Sequence, residues 1–146
     1  MAKTEASAGL SQEEREAVKQ RAKELREQEK AGKSRAAGEK SVLEAIAGLE
    51  PDDKALAEGL YKVTTEVAPD LVPKTYYGMP GYANTEGKIV VFIQPSKKFK
   101  TRYCTVGFED RANLDDGDLW PTAFALRNFT PATEKTLTEL VKRAVS

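Results

Sequence analysis

From Ser11 to about Lys30 the chain sets a thin apolar stripe, Val18, Ala22 and Leu25, among many charged residues. Ser11 and Glu14 fit a capping box, in which each side chain satisfies the other's backbone N–H. The pattern predicts a helix starting near Ser11, running to about Lys30 and stopping at Gly32. Lys23 with Glu27, and Glu27 with Lys30, lie one turn apart, and such pairs support an isolated helix by only about 0.2–0.5 kcal/mol each. A helix with so little to bury is held weakly, so a partly detached, fraying segment is expected. Residues 1–40 thus read as a charged, helix-prone N-terminal extension, and residues 41–146 as the folded domain.

Within that domain Val42, Leu43, Ile46 and Leu49 recur at helical spacing. Pro51 suits the first position of a second helix, with Asp52 and Asp53 favourable in its first turn. Leu56, Leu60, Val63 and Val67 form its inner face, and Pro69 ends it. From Lys74 the period changes to two. Residues 74–77 and 81–83 read as short strands around Gly78-Met79-Pro80, and 84–87 as a turn. Residues 88–94 are apolar on both faces, as a central strand requires. Pro95-Ser96-Lys97 reads as a turn, 99–108 as the next strand and 122–127 as another. Thr130 caps a last helix with Pro131 at its first position and Leu137, Leu140, Val141 and Ala144 on its apolar face. Short turns between neighbouring strands imply antiparallel pairing. The predicted fold is α+β: an antiparallel meander with two N-terminal helices and one C-terminal helix packed on one face, preceded by the charged helical extension.

Composition narrows the chemistry. The 146 residues carry 23 basic and 23 acidic side chains, no histidine and one cysteine. Zero net charge supplies no overall field for nucleic acid or an anionic membrane. The apolar run 89–93 is far too short to span a bilayer. A single cysteine forms no internal disulfide, and no apolar signal region follows Met1, so a cytoplasmic setting is expected. Without histidine there is no Ser-His-Asp chemistry, and the commonest metal ligand is missing. No Walker loop or G-x-G-x-x-G occurs. The sequence leaves the oligomeric state open.

Tyr77-Gly78-Met79-Pro80, the Gly87-Lys88 pair before an apolar strand, and a late strand entered through Trp120-Pro121 ahead of a closing helix resemble the YdhG-like family, over residues 41–146. Members of that family mostly lack an assigned activity. The resemblance implies a small α+β domain of the bacterial cytoplasm, and some members are described as frataxin-like iron chaperones. It supplies no catalytic residues to carry over. Residues 1–40 lie outside the usual domain.

Several groups of residues carry candidate chemistry. Tyr76, Tyr77, Met79 and Tyr82, with Trp120, offer the aromatic lining that small-ligand sites use. Gly78, Gly81 and Pro80 equally suit a plain bend whose rings cover the end of the core. Lys98, Lys100 and Arg102 would share one face of a strand and could hold a phosphate or carboxylate, or could simply be a solvated edge. Glu109, Asp110, Asp115, Asp116 and Asp118 offer the oxygen ligands hard cations prefer, iron among them, although the run 113–118 does not follow the calcium-loop pattern. Cys104 shares its strand side with Val106 and Phe108, as a buried structural thiol would. The leading reading is non-enzymatic binding of a small, potentially anionic ligand or a protein partner at the tyrosine-rich turn, with no cofactor. The alternatives are an iron chaperone using the acidic loop and a histidine-free enzyme, for which the adjacent Asp115 and Asp116 are a weak acid–base pair.

Overall fold

The computed structural model describes residues 11–30 and 35–146. The predicted stop at Gly32 and residues 1–10 of the extension lie outside them. Helix α1 spans Gln12–Lys30. It opens with the anticipated capping box: the Glu14 N–H donates to Ser11 Oγ at 3.1 Å and the Ser11 N–H to Glu14 Oε1 at 3.4 Å. Helix α2 covers Arg35–Ala47 and α3 Pro51–Val67, with Pro51 at the first position. After α3 come β1 (Val72–Pro73), β2 (Gly81–Ala83), β3 (Ile89–Gln94), the short helix α4 (Ser96–Phe99), β4 (Cys104–Phe108), β5 (Ala123–Leu126) and α5 (Pro131–Ala144).

The strands form one antiparallel sheet in the order β1-β2-β3-β4-β5, a meander, and the α+β class follows. Residues directly opposite in an antiparallel ladder share a face. Tyr82, Val91 and Phe108 are therefore one row, and Ile93, Val106 and Phe124 another. These rows meet Val42 and Ile46 of α2, Leu60 and Val63 of α3, and Leu137 and Val141 of α5 in the hydrophobic core. The opposite row is Gly81, Phe92, Gly107 and Ala123. A Cβ on Gly107 would lie 2.4 Å from Phe92 Cζ, so the end of the Phe92 ring covers that glycine on the outer face.

The helical layer is tied by specific contacts. The Tyr61 hydroxyl of α3 donates to the Glu39 carboxylate of α2, which raises the pKa of the phenol. Lys62 pairs with Glu134 of α5 at 3.0 Å, a solvent-screened bridge at the surface. Thr130 caps α5 reciprocally with Thr133.

Two predicted elements change. Residues 99–103 are not strand, because α4 occupies Ser96–Phe99 and β4 starts only at Cys104. Lys98, Lys100 and Arg102 therefore do not alternate along one strand face. The cause is a cap from another element: Asp53 of α3 accepts from Ser96 Oγ at 2.6 Å and from the Lys97 N–H at 2.9 Å, satisfying the first turn of α4. Residues 74–77 are not a strand either. Tyr76 and Met79 exchange both backbone hydrogen bonds, at 2.8 and 2.9 Å, around Tyr77 and Gly78. Both central residues are left-handed, Tyr77 at φ 52° and Gly78 at φ 80°, as in the tightest hairpin turns. In addition, α2 begins at Arg35 and so runs across position 41. Its Val42 and Ile46 are buried while Leu43 is exposed.

Candidate functional site

The turn at Tyr77-Gly78 projects Tyr76 and Tyr77 onto the outer face of the sheet. Their rings meet edge to face with centroids 4.8 Å apart, and Tyr76 lies 5.2 Å from Phe92. Burial, the negative charge of Glu109 and the neighbouring Tyr77 hold the Tyr76 phenol above its ordinary pKa, against the pull of Arg21. A tyrosine in the left-handed region costs roughly 1–2 kcal/mol, and non-glycine residues kept there cluster at functional sites. Phe92 is hidden in the continuous apolar run of β3, and only its pairing with Gly107 shows which face its ring takes.

Helix α1 docks on this corner, and not through its apolar stripe. Ala17 is 8% exposed and Glu24 4%, whereas Val18 is 49% and Leu25 48% exposed. The buried side is Ala17, Arg21 and Glu24, one helical row. The Arg21 guanidinium stands 5.4 Å from the Tyr76 ring centroid and 5.8 Å from that of Tyr77, and its Nη1 donates to the Thr75 carbonyl at 3.3 Å. Glu24 Oε2 accepts from the Gly78 N–H at 3.0 Å, while its buried Oε1 has no hydrogen-bond partner among the described residues. Glu13 Oε1 pairs with Lys100 Nζ at 3.0 Å. Gly78 leaves little room: a Cβ there would sit 3.1 Å from both Gln20 Cγ and Lys98 Nζ. The expectation of a loosely detached helix gives way because charged side chains, not apolar area, make the attachment.

The remaining predicted binding residues divide. Tyr76, Tyr77 and Lys98 come together around Gly78, whereas Lys100 meets Glu13 in the first turn of α1. Met79 and Tyr82 are buried, and Tyr82 lies in the core row at 1% exposure, where burial pushes its phenol pKa up. Trp120 packs half-buried against the core cluster, and Arg102 stacks on Tyr103 at 5.1 Å to the centroid. An open groove of about 560 Å³ flanks α1 between Lys19, Lys23 and Arg26 and includes none of these residues.

In the acidic segment, Asp110, Asp115, Asp116 and Asp118 are exposed and Glu109 is half-buried. The segment is pinned to the end of α5: the Asn113 N–H donates to the Ala144 carbonyl at 2.9 Å and Arg143 Nη2 to the Leu114 carbonyl at 3.3 Å. Among the described residues no group of three or more His, Cys, Asp or Glu side chains is placed to hold a metal ion.

A second polar cluster is internal. Asp53, Ser96 and Cys104 are all buried, and Cys104 Sγ donates to Asp53 Oδ1 at 3.2 Å. Burial alone would push the Asp53 carboxyl up, but hydrogen bonds from Ser96, the Lys97 N–H and Cys104 prevail and hold it below its ordinary value. Burial, then the hydrogen bond to Asp53, pushes the Cys104 thiol up to about 11. That is a packed, protonated thiol and not a nucleophile. Sequence spacing placed Asp53 in the first turn of a helix and gave no sign that it braces a strand and a second helix. No family model, curated protein or solved structure matches the chain.

Proposed function

We propose that this chain is a non-enzymatic binding domain of the YdhG-like type, at work in the bacterial cytoplasm. Its recognition surface is the corner formed by Tyr76, Tyr77 and Gly78 with Lys98. The group recognised is a carboxylate or a similar anion, carried by a small molecule or by a protein partner. One observation carries the reading: the corner already holds a carboxylate, Glu24 Oε2 on the Gly78 N–H. Aromatic walls supply contact area, a backbone N–H and the Lys98 ammonium supply anion affinity, and the strained turn fixes their positions. The protonated Cys104 and the absence of histidine support binding over catalysis.

The test is an NMR titration of the full-length Glu24→Ala variant with glutarate, a small dicarboxylate. Progressive shifts are expected at the amides of Gly78 and Lys98, with none at Asp115, Asp116 or Asp118. A Gly78 amide that stays still up to high millimolar glutarate contradicts the reading.

A further inference from the structure

We propose that α1 is the cis-bound counterpart of a protein ligand, and that this ligand is a helical segment of another protein carrying an arginine and a glutamate three residues apart. The inference rests on the binding-domain reading above and specifies its partner. The spacing is that of Arg21 and Glu24, which one helical turn brings to the same side. Each member has its own receptor. The guanidinium meets two tyrosine rings and the Thr75 carbonyl, and the carboxylate meets the Gly78 N–H. A lysine would lack the flat face that stacks on the rings, and an aspartate is one methylene too short for the same reach. Gly78 makes room for the helix, since a side chain there would press on the Gln20 side chain.

The same contacts show why the occupant is exchangeable. Glu24 Oε1 is buried without a hydrogen-bond partner among the described residues, which penalises the docked state. The apolar stripe of α1 faces outward, with Val18 and Leu25 about half exposed, so burial of large apolar side chains does not hold the helix down. A helix offering the same arginine and glutamate, and a donor for the second oxygen, reproduces the contacts of Arg21 and Glu24 and satisfies the oxygen that α1 leaves unpaired. In this arrangement α1 competes with the partner, lowering its apparent affinity by the fraction of time the corner is occupied.

The experiment uses a fluorescein-labelled synthetic peptide of residues 11–30 and the full chain, read by fluorescence anisotropy. The wild-type chain is compared with the Arg21→Gln/Glu24→Gln double variant, in which the cis helix has lost both anchors. The peptide is expected to bind the double variant at least tenfold more tightly than the wild type. A peptide carrying R21Q and E24Q is expected not to bind either. Single Glu24→Gln should fall between, and circular dichroism melts of all three chains verify that the domain stays folded. Equal binding of the two peptides, or no binding to the double variant, overturns the proposal. Glutarate titrated into the same double variant separates the two levels: shifts at Gly78 without peptide binding defeat this inference alone, and silence in both defeats the binding-domain reading with it.

Discussion

Glu24 and Gly78, 54 positions apart in the chain, are joined by a half-buried carboxylate–amide hydrogen bond of 3.0 Å between α1 and the tyrosine turn. The Gly78 N–H is thus a direct reporter of whether α1 is docked. A hydrogen bond to a charged acceptor contributes about 1.5–3 kcal/mol, so Glu24→Ala should speed hydrogen exchange at Gly78 by roughly tenfold to a hundredfold. Exchange of Val91 and Val106 in the core strands should not change, because those amides lie in the sheet beneath. Unchanged exchange at Gly78 in the variant would show that the contact does not persist in solution.

Asp53 gathers two buried side chains and one backbone N–H, so removing its charge should cost far more than its place in a helix first turn suggests. Asp53→Asn is expected to destabilise the fold by about 1–3 kcal/mol. A lowered folded-state pKa also fixes the sign of the pH dependence. Its stabilisation is fully present above the unfolded value near 3.8 and is lost as pH falls through the folded value below it. Urea unfolding between pH 2 and 7 should therefore show a wild-type decline at the acid end, flattened in the Asn variant. Parallel profiles for the two chains would mean the carboxyl is not held by its partners.

Much of this architecture is written in local pattern. The Ser11–Glu14 box, Pro51 and Pro131 at helix starts, and the continuous apolar run of β3 depend on residues adjacent in sequence, and the antiparallel order follows from short connections. The corner was legible in part, because Tyr76 and Tyr77 flank a glycine turn. Its other half was not. Arg21, Glu24 and Phe92 join the site through contacts across the fold, and α1 carries an apolar stripe that misdirects: Val18 and Leu25 mark the side facing solvent, not the side facing the domain. The lysines were found, but their strand was not, since the cap that converts 96–99 into helix comes from Asp53 on α3. A helix first turn and a tertiary brace look identical in one dimension.

The Cys104 thiol supplies an independent probe of the same interior. Buried at 1% exposure, with its pKa pushed up to about 11, it should be almost entirely protonated and shielded at pH 8. Reaction with a disulfide reagent should be slower than that of an unfolded thiol by at least about a thousandfold, following the open population set by a typical stability of 5–15 kcal/mol. In denaturant the reaction should proceed at the rate of free cysteine. Fast labelling of the native chain would show an opening of β4 that the hydrogen bond to Asp53 does not prevent.

The start of the folded unit is tested at Gly38. In α2 this glycine lies against β1, and a Cβ would fall 2.2 Å from the Pro73 carbonyl oxygen. Backbone cannot yield as a side-chain tip does, so the helix would have to lift from the sheet edge. On an exposed helix, alanine is favoured over glycine by up to about 1 kcal/mol; here Gly38→Ala should instead destabilise the fold by about 1–3 kcal/mol. Gly48 is the matched control. Its nearest neighbour beyond an added Cβ is the Glu44 carbonyl at 3.7 Å, an ordinary contact, so Gly48→Ala should change stability by less than about 0.5 kcal/mol. Thermal unfolding of the pair decides where the domain begins. If Gly38→Ala is as benign as Gly48→Ala, the first turns of α2 are not packed on the strand, and the folded unit starts nearer Ser41. A clear loss at Gly38 alone places residues 35–40 inside it.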